Sequence, residues 1–332
     1  MPSSADWQVL DADRELFARE LDAFVPPRLF DAHAHLYEFS QFAAGPPAWI
    51  QPGPASAGMA EFLRRMDEIH PGRQVDGLFF GFPNPSIDFP AANRFLADEV
   101  RTRPRSRGHM LVRPEMDPEF IREAVRREGF VGLKCYHVYA ARPDTYYASI
   151  PEYLPEEQVR VAHEEGLSIT LHMVKPRAMA DRENQEVIRA WAERYPNMKW
   201  ILAHAARGFN PHHTLEGIGA LRGLRNVWCD SSAVTDAGAF EAIIRTLGAD
   251  RLLYGSDFPV SHMRGRCVAV GDSFLWLSAD NTKFEAGYAP ILPTLVGIES
   301  LRTLKLACWS LQLKDREIER IFFDNARELY SL

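Results

Sequence analysis

The chain predicts an α/β fold, a TIM-type (β/α)8 barrel with long loops after strands 1 and 8, and three observations carry the prediction. Eight short apolar runs of strand character alternate with helical stretches, and each parallel strand needs a crossover helix to bring the chain back to the same side of the sheet. Eight such units in 332 residues are the number that closes a parallel sheet into a barrel. No Gly-x-Gly-x-x-Gly or P-loop follows any strand, which disfavours an open, doubly wound nucleotide-binding sheet.

In chain order, an amphipathic helix is expected from about Asp6 to Phe24, with Leu10, Phe17, Leu21 and Phe24 as its apolar stripe. Pro26-Pro27 stops it, and strand 1 follows, from Leu29-Phe30 to His35. Strands 2 to 8 are expected over Val75–Phe82, Gly108–Arg113, Phe130–His137, Leu167–Val174, Met198–His204, Asn226–Ser231 and Arg251–Asp257. Helices fall between them at Met59–His70, Ala91–Arg101, Pro118–Glu128, Pro155–Glu165, Arg182–Tyr195 and Ala237–Leu247. The chain thus divides into an N-terminal helical extension, residues 1–27, and a barrel domain, residues 28–332.

Composition narrows the partners. A chain that is 46% hydrophobic can bury a large core, and a net charge of −7 argues against nucleic acid or an anionic membrane as a partner. The basic run from Arg101 to Arg107 reads as a solvated helix end and turn. Four cysteines, Cys135, Cys229, Cys267 and Cys308, show no Cys-x-x-Cys spacing and read as reduced thiols of a cytoplasmic protein. The start of the chain lacks a basic region followed by an apolar one, and no apolar run is long enough to span a bilayer. A small-molecule substrate is expected, with a homo-oligomer possible.

Active-site groups of such barrels sit at the carboxyl ends of strands, and the conspicuous polar residues fall there. Asp31-Ala32-His33-Ala34-His35 places two imidazoles on one face of strand 1, where both can grip one metal ion. Lys134 lies near the end of strand 4, with Tyr136 on the same face. His172 ends strand 5, His204 ends strand 6 and Asp257 ends strand 8. Burying several ionisable groups in one mouth is costly unless they share a purpose.

With these residues in place, the chain resembles the amidohydrolase superfamily of metal-dependent barrels. It resembles above all the amidohydrolase-2 branch, which includes decarboxylases similar to aminocarboxymuconate-semialdehyde decarboxylase. The resemblance runs from about Leu29 to Tyr330. It rests on Asp-Ala-His-Ala-His (31–35), Leu-His-Met (171–173), Ile-Leu-Ala-His-Ala-Ala (201–206), Tyr-Gly-Ser-Asp-Phe-Pro (254–259) and Asp-Asn-Ala-Arg-Glu-Leu-Tyr (324–330). It implies that His33, His35, His172 and Asp257 hold one metal, with His204 beside the substrate or on a second ion. Gly-Leu-Lys-Cys-Tyr (132–136) resembles the strand-4 segment of binuclear members such as hydantoinases and dihydroorotases, where a carboxylated lysine bridges two metals. That adds Lys134 to the metal ligands and leaves one ion or two open.

Histidines with one carboxylate suit zinc first, or manganese or iron, rather than magnesium or calcium. A divalent ion in such a site lowers the pKa of its water to about 7. Asp257 is placed to take that proton and pass it to a leaving group, while His204, Tyr136 or Lys134 stabilises the developing oxyanion. Arg113, Lys175 and Arg207, at the ends of strands 3, 5 and 6, are candidates to pair with a substrate carboxylate. Two long loops frame the mouth: Tyr37–Gly58 with Trp49, and Phe258–Pro293 with His262, Phe274, Trp276, Phe284 and Tyr288. Loops of that length serve as lids or oligomer contacts, and their aromatic content favours a pocket for an aromatic or cyclic acid. The expected activity is metal-dependent hydrolysis of a C–N or C–O bond, in an amide or lactone of a small carboxylate-bearing compound. Non-oxidative decarboxylation in the same site is the alternative, and a non-catalytic metal- or ligand-binding barrel is a third reading.

Overall fold

The computed structural model describes residues 7–278, 281 and 293–332. Asp6, Phe284 and Tyr288 lie outside the described residues. All eight expected strands form, as β1 Arg28–Glu38, β2 Gln74–Gly81, β3 Arg107–Leu111, β4 Gly132–Tyr136, β5 Ser168–His172, β6 Lys199–Leu202, β7 Val227–Asp230 and β8 Leu252–Leu253. They lie side by side in sequence order and in parallel, and a short antiparallel strand, Ser56–Ala57, joins the far end of β1. The curled sheet meets itself. Ala32 N–H donates to Tyr254 O at 2.7 Å, Asp257 N–H to His33 O at 2.8 Å and His35 N–H to Phe258 O at 2.8 Å. Strand 8 is shorter than Arg251–Asp257, pairing with β7 only over Leu252–Leu253, and the chain turns at Asp257, where φ is 60°.

The crossover helices follow local chemistry. α1 (Asp11–Glu20) precedes the barrel, and α2 (Met59–Ile69), α3 (Phe89–Arg101), α4 (Pro118–Glu128), α5 (Glu156–Glu164), α6 (Arg182–Arg194), α7 (Pro211–Gly217) and α8 (Ala237–Leu247) link the strands. α4 shows the logic most fully. The Asp117 carboxylate caps its first turn through the N–H groups of Glu119 and Phe120, and Pro118 fills a position that needs no donor. Ile121, Ala124 and Val125 bury one face, and Gly129, with φ of 75°, ends the helix in a left-handed conformation. A long helix, α9 (Val296–Ser310), and the helical turns from Asp315 to Tyr330 complete the chain.

Two features lie outside the alternating pattern. The segment after β8 contains a hairpin, β9 (Arg266–Val270) with β10 (Ser273–Leu277), turning at Gly271-Asp272. The Asn210 side-chain amide holds that turn by donating to Gly271 O at 3.1 Å and Ser273 O at 3.0 Å. At the opposite end of the barrel, His109 lies between Thr170 (3.0 Å) and Ser168 (2.8 Å), and Ser168 meets the Tyr330 hydroxyl at 3.1 Å. This chain of contacts satisfies the polar groups of the barrel interior and fastens the C-terminal helix beneath it. Among the described residues no helix is long and apolar enough to cross a membrane.

α1 is tied to the region after β8 by one buried ion pair. The Asp13 carboxylate accepts from Arg264 Nη1 (3.0 Å) and Nη2 (2.6 Å), Thr294 Oγ1 (2.6 Å) and the Leu10 N–H (2.8 Å). Burial pushes the Asp13 carboxyl up, but the bonds from Arg264, Thr294 and Leu10 outweigh it and hold the pKa below its usual value. A carboxyl depressed in this way stabilises the fold above its unfolded pKa of about 3.9, and the effect is lost as pH falls through the folded value. Asp13→Asn is therefore expected to cost about 3–5 kcal/mol at neutral pH, because it leaves Arg264 buried without its counter-ion. Thermal unfolding followed by circular dichroism checks this, and the gap to wild type should narrow below about pH 4.

Candidate metal centre

β1 carries His33 and His35 on its inner face, and neighbouring acceptors fix their protons. His33 Nδ1 donates to Asp230 Oδ2 at 2.9 Å, and His35 Nδ1 donates to Gly81 O at 3.1 Å. Each Nε2 keeps its lone pair, and both point at Asp257 Oδ1, at 3.4 and 3.6 Å. His204 presents Nδ1 to Ser232 O (3.1 Å) and Ser232 Oγ (2.9 Å), with Asp257 Oδ2 at 3.9 Å. Its backbone N–H donates to Asp230 Oδ1 at 2.9 Å. His172 ends β5 with its ring 5.0 Å from that of His204 and 4.3 Å from that of Tyr136, and its Nδ1 has no partner among the described residues.

The backbone here is strained. His204, Ala205, Ala206 and Arg207 have φ of 57°, 52°, 57° and 57°, one left-handed turn without a glycine. L-residues pay roughly 1–2 kcal/mol each for that conformation. Strain of this kind persists only where surrounding contacts over-determine it, and here the bonds of His204 to Asp230 and Ser232 do so.

Burial sets the charge states. It pushes His33 and His172 well below the ordinary imidazole value, His35 to about 3 and His204 to about 4, so all four are neutral near pH 7. It raises the Asp257 carboxyl to about 6, against the pull of His204 and Lys134. Lys134 is fully buried, and burial lowers its amine to about 8 although Asp230 and Asp257 favour the charged form. Its Nζ has no hydrogen-bond partner among the described residues and lies 4.3 Å from the centre of the Phe80 ring.

Among the described residues, two sets of side chains bring donor atoms close enough for one ion: His33 with His35 and Asp257, and His33 with His204 and Asp230. The second set is already spent on hydrogen bonds, since Asp230 Oδ2 faces His33 Nδ1 and Oδ1 accepts from the His204 N–H and the Ser232 Oγ–H. The first set leaves two imidazole lone pairs and a carboxylate oxygen directed at one another. Neutral imidazoles with one carboxylate fit a divalent transition metal.

These groups open into a cavity of about 870 Å³. Tyr136, His137, Tyr146, Arg207, Phe209, Trp49, Phe274 and Trp276 line it with His33, His35, His172, His204 and Asp257. Of the residues singled out in the sequence, those five ligating candidates, Tyr136 and Arg207 share the cavity, and Lys134 is buried against Phe80. Arg113 and Lys175 are not on its lining. Arg113 is exposed and lies 3.8 Å from Glu115, while Lys175 pairs with Glu183 and, at 3.4 Å, with Asp181. His262 turns into the wall, bonded to Arg65 O at 3.0 Å. Asp230 and His137 escaped the sequence reading, although both follow the strand-end rule, at the ends of β7 and β4.

A family model described as Amidohydrolase matches residues 30–332. No curated protein matches the sequence significantly. Similar solved structures include a zinc-bound amidohydrolase from Burkholderia multivorans, 14% identical, TM-score 0.58, with 92% of this chain and 99% of that one covered. A candidate 2-pyrone-4,6-dicarboxylic acid hydrolase from Pseudomonas putida is 18% identical, TM-score 0.59, covering 92% and 98%. The 5-carboxyvanillate decarboxylase of Sphingomonas paucimobilis is 15% identical, TM-score 0.57, covering 92% and 100%. At such identities the likeness shows a shared fold.

Asp230 orients His33 and His204 without belonging to the open donor set. Asp230→Asn is expected to weaken metal binding by about 10–100-fold while the protein stays folded. Competition against a chromogenic chelator measures the affinity.

Proposed function

The chain belongs to the amidohydrolase-2 family, and from that premise we propose that it is a metal-dependent hydrolase opening a C–N or C–O bond, amide or lactone, in a small carboxylate-bearing compound. The observation that carries the proposal is the division of labour within one side chain. Asp257 Oδ1 faces the Nε2 atoms of His33 and His35, while Oδ2 faces His204 at 3.9 Å. His33, His35, His172 and Asp257 would hold the ion, zinc first among the candidates. When bound, the ion supplies a Lewis acid and a water acidified to about pKa 7.

The remaining work belongs to the protein. With a carboxyl pKa of about 6, Asp257 is ionised at neutral pH yet basic enough to take a proton at Oδ2 and return it to a leaving nitrogen or oxygen. His204, neutral and held by Ser232, orients the reacting carbonyl, and Tyr136 donates to its oxygen. The apolar walls exclude bulk water and strengthen these contacts. Lys134 is proposed as a ligand when its amine is carbamylated, which would raise the count from one ion per chain to two.

Decarboxylation is the second reading, favoured by the same apolar walls, which would destabilise a bound carboxylate relative to neutral carbon dioxide. The two reactions separate cleanly. In a screen of lactones, cyclic amides and aromatic acids, hydrolysis incorporates oxygen-18 from water into the organic product; carbon dioxide released without such incorporation would establish the lyase instead. His35→Ala should lose most of its metal and its turnover, read by elemental analysis and assay. Asp257→Asn should lower kcat by about 100-fold or more by either route.

A further inference from the structure

We propose that the β9–β10 hairpin is a hinged cover over the cavity, fixed at its base and latched at its tip, which swings out to let ring-sized molecules in and out. This goes beyond the reaction proposed above and holds whichever bond reacts beneath the cover.

The hairpin is built to move as one piece. Its strands pair with each other and with no barrel strand, Cys267 opposite Trp276 and Ala269 opposite Phe274, so these four side chains share one face. Phe274 and Trp276 turn that face to the cavity, where they meet the Phe209 ring at 5.0 and 5.6 Å. Phe209 stacks in turn on His204 at 5.3 Å, so the cover closes over the part of the cavity that holds the imidazoles. None of residues 268–277 is buried. Apolar burial therefore holds this segment weakly, and a two-stranded hairpin without support is marginal in water.

Base and tip are held differently. At the base, Arg264 is locked by Asp13, Gly265 N–H donates to Thr294 O at 3.0 Å, and Thr235 Oγ1 donates to Cys267 O at 2.7 Å. Gly265 has φ of 153° and lies so close to Leu277 O that a side chain there would clash, which suits it to act as the pivot. At the tip, Asn210 Nδ2 donates to Gly271 O and Ser273 O, His213 Nε2 lies 2.9 Å from Asp272 Oδ1, and Arg177 Nε lies 3.3 Å from Asp272 Oδ2. Asp272 is 68% exposed and Arg177 43%, so that ion pair is weak and open to screening by salt. Asn210 and His213 are buried side chains of the segment after β6, a socket that belongs to the barrel and not to the hairpin. When the tip leaves, water reaches the socket and satisfies its polar groups, so opening costs only the net worth of a few hydrogen bonds.

Cys267 reports the motion, because its thiol lies on the covered face and is buried, as are those of Cys135, Cys229 and Cys308 elsewhere in the fold. The probe is N-phenylmaleimide, a ring-sized thiol reagent, applied to the full-length protein, with each cysteine followed by peptide mass spectrometry. Cys267 is expected to label slowly while the other three stay unlabelled. Asn210→Ala, which removes both amide bonds to the tip, should speed labelling of Cys267 about tenfold. Asp272→Asn, a surface change, should speed it about two- to fivefold and remove the acceleration that about 0.5 M NaCl produces in the wild type. Cys267 labelling unmoved by salt and by both variants overturns the cover, and so does labelling of all four cysteines together, the mark of global unfolding. If Asn210→Ala unfolds at a lower temperature than the wild type, Asp272→Asn and the salt dependence decide. The readout needs neither metal nor turnover. Protein that binds no metal sinks the metal-dependent reading and leaves the cover standing, whereas metal-loaded, active protein with unmoved Cys267 labelling does the reverse.

Discussion

The seam between the first and last barrel strands is the constraint on which the site depends. His33 and His35 stand on one side of it and Asp257 on the other, so they meet only while the barrel is closed. Three backbone hydrogen bonds cross the seam, and the buried Asp31 carboxylate adds a fourth link by accepting from both the His33 N–H (3.0 Å) and the Ser256 N–H (2.8 Å). Burial raises this carboxyl to about 7, against the bonds from Ser256 and His33. A carboxylate kept so far from water is held for its geometry, since it contributes nothing to the cavity surface.

From that seam the electrostatics spread outward in order. Asp31 joins the strands, Asp230 orients His33 and His204, and Asp257 meets the cavity. Each carboxylate is buried; Asp31 and Asp230 are compensated by neutral donors, whereas Asp257 faces the lone pairs of His33 and His35. The histidines are kept neutral by the same burial. The mouth therefore carries little fixed charge except at Arg207, Lys134 and Asp257, which explains how so many ionisable residues occupy one apolar space without large self-repulsion.

Much of this was legible in the sequence, for identifiable reasons. Short apolar runs and strand-end polarity locate the eight strands and His33, His35, His172, His204 and Asp257, because a parallel barrel leaves few other places for polar side chains. Asp230 obeys the same rule but is followed by Ser231-Ser232, so it looks like an ordinary turn or helix cap. Asp31 looked like part of the His-x-His signature, and its seam role depends on Ser256, 225 residues away. Arg113, Lys175 and Arg207 are equivalent by strand position. Only the side-chain partners distinguish them, and Glu115, Asp181 and Glu183 are loop or helix residues whose approach no periodicity encodes. The hairpin after β8 is hidden because its aromatic residues read as the lining of a long lid or contact loop, although Gly271-Asp272 between apolar runs is a turn signal.

That hairpin has a consequence for how such a molecule can change. Its two strands pair with each other and join no barrel strand, and its turn hangs from the Asn210 amide. The candidate ligands all come from the barrel itself. Under the proposed function, the hairpin's share of the cavity wall is housed apart from the reacting groups: exchanging Phe274 or Trp276, or the whole flap, would alter which molecules fit without disturbing the seam or the histidines. A scaffold divided in this way can acquire new substrates in small steps, each leaving the chemical apparatus intact.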